Sequence, residues 1–156
     1  MAATHDIHLM FTPQTSYKAG WVTAFLNGRQ LIRTGSMARI LLAEDDEDMR
    51  RFLVKALERA GYDVTDFDNG ASAYERLREE PFSLLLTDIV MPEMDGIELA
   101  RRATEIDPDL KVMFITGFAA VALNPDSNAP RDAKVLSKPF HLRDLVNEVE
   151  KMLQAA

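Results

Sequence analysis

The sequence contains no cysteine, which excludes a disulfide scaffold, thiolate metal ligation and a thiol nucleophile. It has no run approaching the ~20 apolar residues of a membrane span. The closest approach to a targeting signal, residues 19–26 after Lys18, is short for a signal core and lacks a small-x-small cleavage site. Positive charge is also in short supply. Lys and Arg total 18 against 25 Asp and Glu, giving a net charge of −7 and a pI near 4.9. Such a chain lacks the basic footprint that phosphate-backbone binding needs, so nucleic acid is not an expected partner. Membrane insertion is not expected either, and the expected location is the cytoplasm. What remains is 156 residues, 47% hydrophobic and 28% charged, enough for one globular domain with a full core.

The sequence changes character at Gly35-Ser36-Met37. Residues 1–36 show neither clean helical nor clean strand periodicity. They are expected to be an N-terminal extension that is disordered or not native, such as a mistaken translation start or a cloning-derived leader. The alternative is a real arm that docks through Trp21, Phe25 and Leu26. His5 and His8 lie in this segment, and two histidines alone do not make a metal site.

From Arg39 onward, short apolar runs alternate with helical patterns. Ile40-Leu41-Leu42-Ala43, residues 83–87 and Val112-Met113-Phe114-Ile115 are continuous apolar runs of the kind that parallel strands buried on both faces require. Tyr62 to Phe67 is less apolar and suits an edge strand, and Val135-Leu136 is a short fifth strand. Met49, Phe52, Leu53, Ala56, Leu57 and Ala60 recur at helical spacing, with Gly61 closing that helix. Further helices are marked by Ala71, Tyr74 and Leu77, by Ile97, Ala100, Ala103 and Ile106, and by Leu142, Leu145, Val146, Val149 and Leu153. Between the fourth and fifth strands, Ala119 to Leu123 can start a helix, but residues 124–130 contain Pro125 and Pro130 and read as a loop. Five βα units with right-handed crossovers give an α/β fold: a doubly wound (βα)5 parallel sheet. The flavodoxin-like strand order 2-1-3-4-5 suits this size.

Ligands of such sheets bind outside the carboxyl ends of the strands. Glu44, Asp45 and Asp46 follow the first strand, Asp88 the third, Thr116 ends the fourth, and Lys138 follows the fifth, before Pro139. These ends adjoin in the expected order, so carboxylates, a hydroxyl and an ammonium converge. Crowded carboxylates repel and would otherwise retain a proton. A hard divalent cation relieves the repulsion, and Mg²⁺ suits oxygen ligands while leaving positions open for phosphate. Taken singly, acidic residues at helix starts are ordinary dipole partners. The combination with Thr116 and Lys138 is what points to chemistry.

The stretches Ala43-Glu44-Asp45-Asp46, Thr87-Asp88-Ile89-Val90-Met91-Pro92-Glu93-Met94-Asp95-Gly96, Ile115-Thr116-Gly117 and Ser137-Lys138-Pro139-Phe140 resemble the receiver domain of bacterial response regulators. The resemblance covers residues 38 to about 154 and sets the expected domain at 37–156. It implies that Asp88 is the phosphoacceptor, that Glu44 and Asp45 hold Mg²⁺ with Asp88, and that the Val90 backbone carbonyl is a further ligand. It also makes Thr116 the switch hydroxyl and Lys138 the phosphoryl-binding lysine, with a cis Lys138-Pro139 bond. Gly117 leaves room for transfer, and Asp46 is a bystander. Asp95 caps the third helix, and Gly96 shapes its start.

One feature departs from the family pattern. The place three residues before Lys138, often Tyr or Phe, is Val135. With the fourth helix interrupted as well, output is expected from a remodelled or mobile region around residues 118–131. Val90 and Phe118, flanking the acceptor, are apolar and offer no side chain to orient a water.

No Gly-rich phosphate loop or further catalytic set is present, which argues against a stand-alone metabolic enzyme. The start of the first helix, residues 115–125 and Ala155-Ala156 resemble single-domain alphaproteobacterial response regulators. That resemblance implies an adaptor for the ClpXP protease in cell-cycle proteolysis, active when unphosphorylated and located in part at the cell pole. Phosphorylation through a histidine kinase and a histidine phosphotransferase would switch it off. The terminal Ala-Ala also resembles a tail that ClpX recognises. The competing expectation is a phosphorelay intermediate or phosphate sink that exchanges phosphoryl groups with a histidine phosphotransferase.

Overall fold

A computed structural model describes residues 22–26, 29–34 and 37–154, with side chains from residue 37 onward. His5, His8, Trp21 and the Ala155-Ala156 tail lie outside the described residues, as do the side chains of Phe25 and Leu26. The chain divides into two units, Met1–Ser36 and Met37–Ala156.

In the first unit, β1 (Val22–Leu26) and β2 (Arg29–Thr34) pair antiparallel, from Val22 opposite Thr34 to Leu26 opposite Arg29, with a register shift between Ala24 and Phe25. The sequence reading assigned no element here. The available signal was Asn27-Gly28, the dipeptide that favours tight hairpin turns.

The second unit is a five-stranded parallel sheet. Its strands are β3 (Arg39–Ala43), β4 (Asp63–Phe67), β5 (Leu84–Thr87), β6 (Lys111–Thr116) and β7 (Lys134–Ser137), in the spatial order β4-β3-β5-β6-β7. Counted within this unit the order is 2-1-3-4-5, as expected. Helices α1 (Glu47–Arg59), α2 (Gly70–Glu79), α3 (Gly96–Ile106), α4 (Ala119–Leu123) and α5 (Leu142–Gln154) follow the strands in turn.

Strand side chains alternate between faces, which divides the core in two. Leu41, Ala43, Leu85, Val112 and Phe114 pack with Ala73, Leu77, Leu99 and Ala103 of α2 and α3. Ile40, Leu42, Leu84, Leu86, Met113 and Ile115 pack with Leu53, Leu57, Leu145 and Val149 of α1 and α5. The central strands are therefore covered on both sides, which is why they read as unbroken apolar runs. Of the apolar stripe expected on α1, Leu53 and Leu57 reach the core, while Phe52 is 55% exposed.

Local chemistry sets the helix ends. The side chains of Asp46, Asn69 and Asp95 accept the N–H groups of Met49, Ser72 and Glu98 at the starts of α1, α2 and α3. Gly61, at φ 96°, turns the chain out of α1. Helix α4 has five residues, buries none of them and has no side-chain cap. Residues 124–133, with Pro125 and Pro130, replace the helical turns that would extend it.

Candidate functional site

Parallel strands all end on one edge of the sheet, and that edge collects the residues singled out from sequence. Glu44 directly follows β3 and Asp88 directly follows β5; the two strands are hydrogen-bonded neighbours with Ala43 opposite Thr87. Thr116 is the last residue of β6, paired with Ser137 of β7, and Lys138 follows.

The carboxylate oxygens of Glu44, Asp45 and Asp88 come within 4.8 Å of one another. Lys138 Nζ donates to Asp88 Oδ2 at 3.0 Å and to Glu44 Oε2 at 3.2 Å. The ammonium thus bridges two carboxylates from different strands. Glu44 is 1% exposed and Asp88 9%, whereas Asp45 lies open to solvent. Burial, followed by the neighbouring charge of Asp88, raises the Glu44 carboxyl above the usual range, against the opposing pull of Lys138. Burial by itself would lower Lys138, but its hydrogen bond to Asp88 and the two negative charges outweigh that and raise it.

The main chain around Asp88 is tightly held. Asp88 Oδ1 accepts the Ile89 N–H at 2.6 Å, and Thr87 Oγ1 donates to the Asp88 carbonyl at 2.8 Å. Gly96 N–H donates to the Ile89 carbonyl at 2.8 Å. A Cβ on Gly96 would collide with the Asp88 carbonyl oxygen, so only glycine lets α3 start this close to Asp88. At Gly117, by contrast, a Cβ would meet nothing within 4 Å. Thr116 is fully buried, and its Oγ1 accepts the Phe118 N–H at 2.9 Å. Val90 is exposed in the loop between β5 and α3. The Lys138-Pro139 bond is cis.

Asp46 has a definite structural task, capping α1, and its N–H also donates to Glu44 Oε1 at 3.3 Å. Phe118 is 58% exposed, while Phe140 packs against the α1–α5 side of the core. Val135, in the place where an aromatic is common, is half-buried against the opposite core cluster.

The sequence reading did not single out Arg50 or Asp66. Arg50 Nη1 donates to the Glu44 carbonyl at 2.8 Å, and Arg50 Nε donates to Asp66 Oδ2 at 3.1 Å. No motif announces this link, because it joins β3, α1 and β4 through their packing.

Three convergent carboxylates with no soft donor among them fit a hard, oxygen-seeking divalent cation such as Mg²⁺. The exposed Asp45 side provides an approach from solvent. Among the described residues, no helix is long and apolar enough to cross a membrane.

The response regulator receiver domain family matches residues 40–150. The response regulator receiver protein CpdR of Brucella abortus (strain 2308) is 92% identical over 120 residues, covering 77% of this chain and the whole of that protein. The crystal structure of a response regulator receiver protein from Sinorhizobium medicae WSM419 superposes with a TM-score of 0.71 at 36% identity, covering 76% of this chain and 96% of the other. TrrA of Thermotoga maritima, solved with Mg²⁺ and beryllium fluoride, gives a TM-score of 0.67 at 27% identity over 74% of this chain and 99% of its own. With its strand order, its acidic edge and these likenesses, the chain belongs to the response regulator receiver family of two-component signalling.

Proposed function

We propose that Asp88 accepts a phosphoryl group from a histidine kinase or histidine phosphotransferase, and that the phosphorylation state sets whether the domain acts as an adaptor for the ClpXP protease. The observation that carries the first part is the bridge of Lys138 to both Asp88 and Glu44. A fixed ammonium hydrogen-bonded to the Asp88 carboxylate supports this reading, since it aligns that carboxylate and would offer a cation to incoming phosphoryl oxygens.

Glu44, Asp45, Asp88 and the Val90 backbone carbonyl would hold Mg²⁺. When bound, the ion neutralises charge on the transferring oxygens and relieves repulsion among the carboxylates. The rest falls to this chain's own groups. Ile89 N–H and Lys138 orient the Asp88 carboxylate for attack. A new O–P bond forms as the P–N bond to the donor imidazole breaks, and the imidazole leaves with the electron pair and takes up a proton. Lys138 moves its hydrogen bond to a phosphoryl oxygen. Thr116 is already oriented by the Phe118 N–H and can turn its hydroxyl hydrogen toward another. That turn would link the acceptor to residue 118, which directly precedes α4. The domain assists its own phosphorylation and dephosphorylation but is otherwise a regulator rather than an enzyme.

The adaptor part rests on the resemblance to single-domain regulators of this kind and on the 92% identity to CpdR of Brucella abortus. In this reading the unphosphorylated protein works in the cytoplasm, in part at the cell pole, and engages ClpX. The second reading is a phosphorelay intermediate or phosphate sink, supported by the same acceptor site.

The two separate in one experiment. The unphosphorylated protein, the protein treated with Mg²⁺ and acetyl phosphate, and Asp88→Ala are immobilised and exposed to purified ClpX. Binding by the unphosphorylated protein and Asp88→Ala, but not by the phosphorylated form, supports the adaptor. If none binds although Asp88 is phosphorylated, the adaptor role falls and phosphotransfer to a histidine protein becomes the leading account.

A further inference from the structure

We propose that Arg50, anchored by Asp66, is a positioning residue for the metal site: it holds the Glu44 main chain so that the Glu44 and Asp45 carboxylates converge on Asp88. The inference rests on the reading of this cluster as the Mg²⁺ site.

The geometry supplies a clamp on both sides of Glu44. Its N–H donates to the Phe67 carbonyl at 3.0 Å, and its carbonyl accepts from Arg50 Nη1 at 2.8 Å. Two residues on, Asp46 is fixed by capping α1. Asp45 therefore sits between two anchored points, and its exposed carboxylate is aimed by the backbone. Arg50 is itself held: its side chain is 17% exposed and its Nε pairs with Asp66 on the edge strand β4 at 3.1 Å. The guanidinium fork serves a carbonyl and a carboxylate at once, which an ammonium at the same place would not reproduce. Without the clamp, the cation would have to gather two mutually repelling carboxylates from a looser main chain. Groups that orient ligands in this way commonly alter metal affinity by 10–100-fold.

A plain electrostatic role predicts the opposite sign. Arg50 is a cation near an acidic cluster, so its charge opposes a second cation, and removing it would tighten Mg²⁺ binding. Arg39 provides a structural control. It lies at the other end of β3, where it pairs with Asp63 of β4 at 3.5 Å and with Glu80 at 2.8 Å and donates to the Pro81 carbonyl at 3.1 Å. It ties the same two strands together, away from the acidic edge.

The test is calorimetric titration of the full chain with Mg²⁺ alone, with urea unfolding of each variant and amide NMR shifts of residues 44–46. Arg50→Gln and Arg50→Lys are expected to raise the Mg²⁺ Kd by about tenfold and to move the 44–46 amides in the metal-free protein. Asp66→Asn should raise Kd less, and should add nothing once Arg50 is Gln. Arg39→Gln should lower stability and leave Kd unchanged. Tighter or unchanged Mg²⁺ binding by folded Arg50→Gln overturns the proposal, as does an equal loss in Arg39→Gln. If the unaltered protein itself fails to take up Mg²⁺, the metal-site reading falls and this inference with it. If the unaltered protein binds and the Arg50 variants bind equally well, only the inference falls.

Discussion

Lys138 Nζ lies 3.0 Å from Asp88 Oδ2 and 3.2 Å from Glu44 Oε2, joining residues 50 and 94 positions apart in the chain. The ammonium does for the metal-free site part of what a divalent cation would do, offsetting carboxylates that are largely removed from water. The compensation at Glu44 is incomplete, since its carboxyl remains raised, first by burial and then by Asp88.

A raised carboxyl makes Glu44→Gln informative. The folded state binds the Glu44 proton more tightly than the unfolded chain, so the favourable contribution is present at low pH and is lost as pH rises through the folded value. At pH 7 and without Mg²⁺, the ionised carboxylate is a net cost. Glu44→Gln is therefore expected to raise the Tm of the metal-free protein at pH 7, with the gain narrowing as pH falls toward the ordinary Glu value of 4.5. Added Mg²⁺ should reverse the order, stabilising the parent by binding its folded state and leaving the variant behind. Thermal melts across pH, with and without Mg²⁺, check both signs.

Gly96→Ala is expected to be severe. The new methyl would strike the Asp88 carbonyl oxygen and the Ile89 main chain, so α3 must move away from Asp88 at a cost of about 3 kcal/mol. Gly117→Ala, where a Cβ meets nothing within 4 Å, should change stability by less than about 0.5 kcal/mol. Urea unfolding of the two variants side by side tests whether packing against the Asp88 main chain is what demands glycine.

Glu80, which follows α2, ties that helix to β3 at the far end of the sheet. Hydrogen bonds from Arg39 and Arg76 lower its carboxyl below the usual range. A lowered carboxyl contributes stability above its unfolded value, and that contribution is lost as pH falls through the folded one. Glu80→Gln is expected to lower Tm at neutral pH, and the deficit should close in acid once the parent's Glu80 is also protonated. The gap between parent and variant melting curves, followed from pH 7 downward, reads this directly.

The α4 region should report the state of Asp88. Its five-residue helix is far below the length at which an isolated helix is stable, and it leaves Phe118, Val121 and Leu123 in solvent. Thr116 Oγ1 accepts the Phe118 N–H, so under the proposed function a turn of Thr116 toward a phosphoryl group would be felt at the first residue of this region. Hydrogen exchange of residues 118–131 is expected to be much faster than that of β6 and to change on treatment with Mg²⁺ and acetyl phosphate. Protection equal to that of the strands, unaltered by phosphorylation, would sink the idea that output runs through this segment.

The fold, and the convergence of these residues on one edge of the sheet, were legible in the sequence for a physical reason. A parallel sheet covered on both faces needs unbroken apolar strands, and Ile40-Leu41-Leu42-Ala43 and Val112-Met113-Phe114-Ile115 say so directly. Such a sheet also gathers the residues that follow its strands on one edge, so Glu44, Asp88, Thr116 and Lys138 could be placed once the strands were known. Proline chemistry at Pro125 and Pro130 likewise exposed the shortened α4. Burial on a helix face was less legible: Phe52 fits the apolar spacing of α1 yet faces solvent, because periodicity gives a stripe and not its edges. The β1–β2 hairpin was less legible because its strands alternate weakly, which left Asn27-Gly28 as the available signal.

The amino-acid order alone thus determined which residues end which strand, and therefore that carboxylates, hydroxyl and ammonium share one edge. Only the tertiary structure decided how they meet: that Lys138 bridges Glu44 and Asp88, that Gly96 has no room for a methyl, and that Arg50 reaches from α1 to the Glu44 carbonyl and to Asp66. Those facts depend on side-chain reach between elements packed in three dimensions. Local sequence fixes direction along a strand or helix and is silent about distance between them.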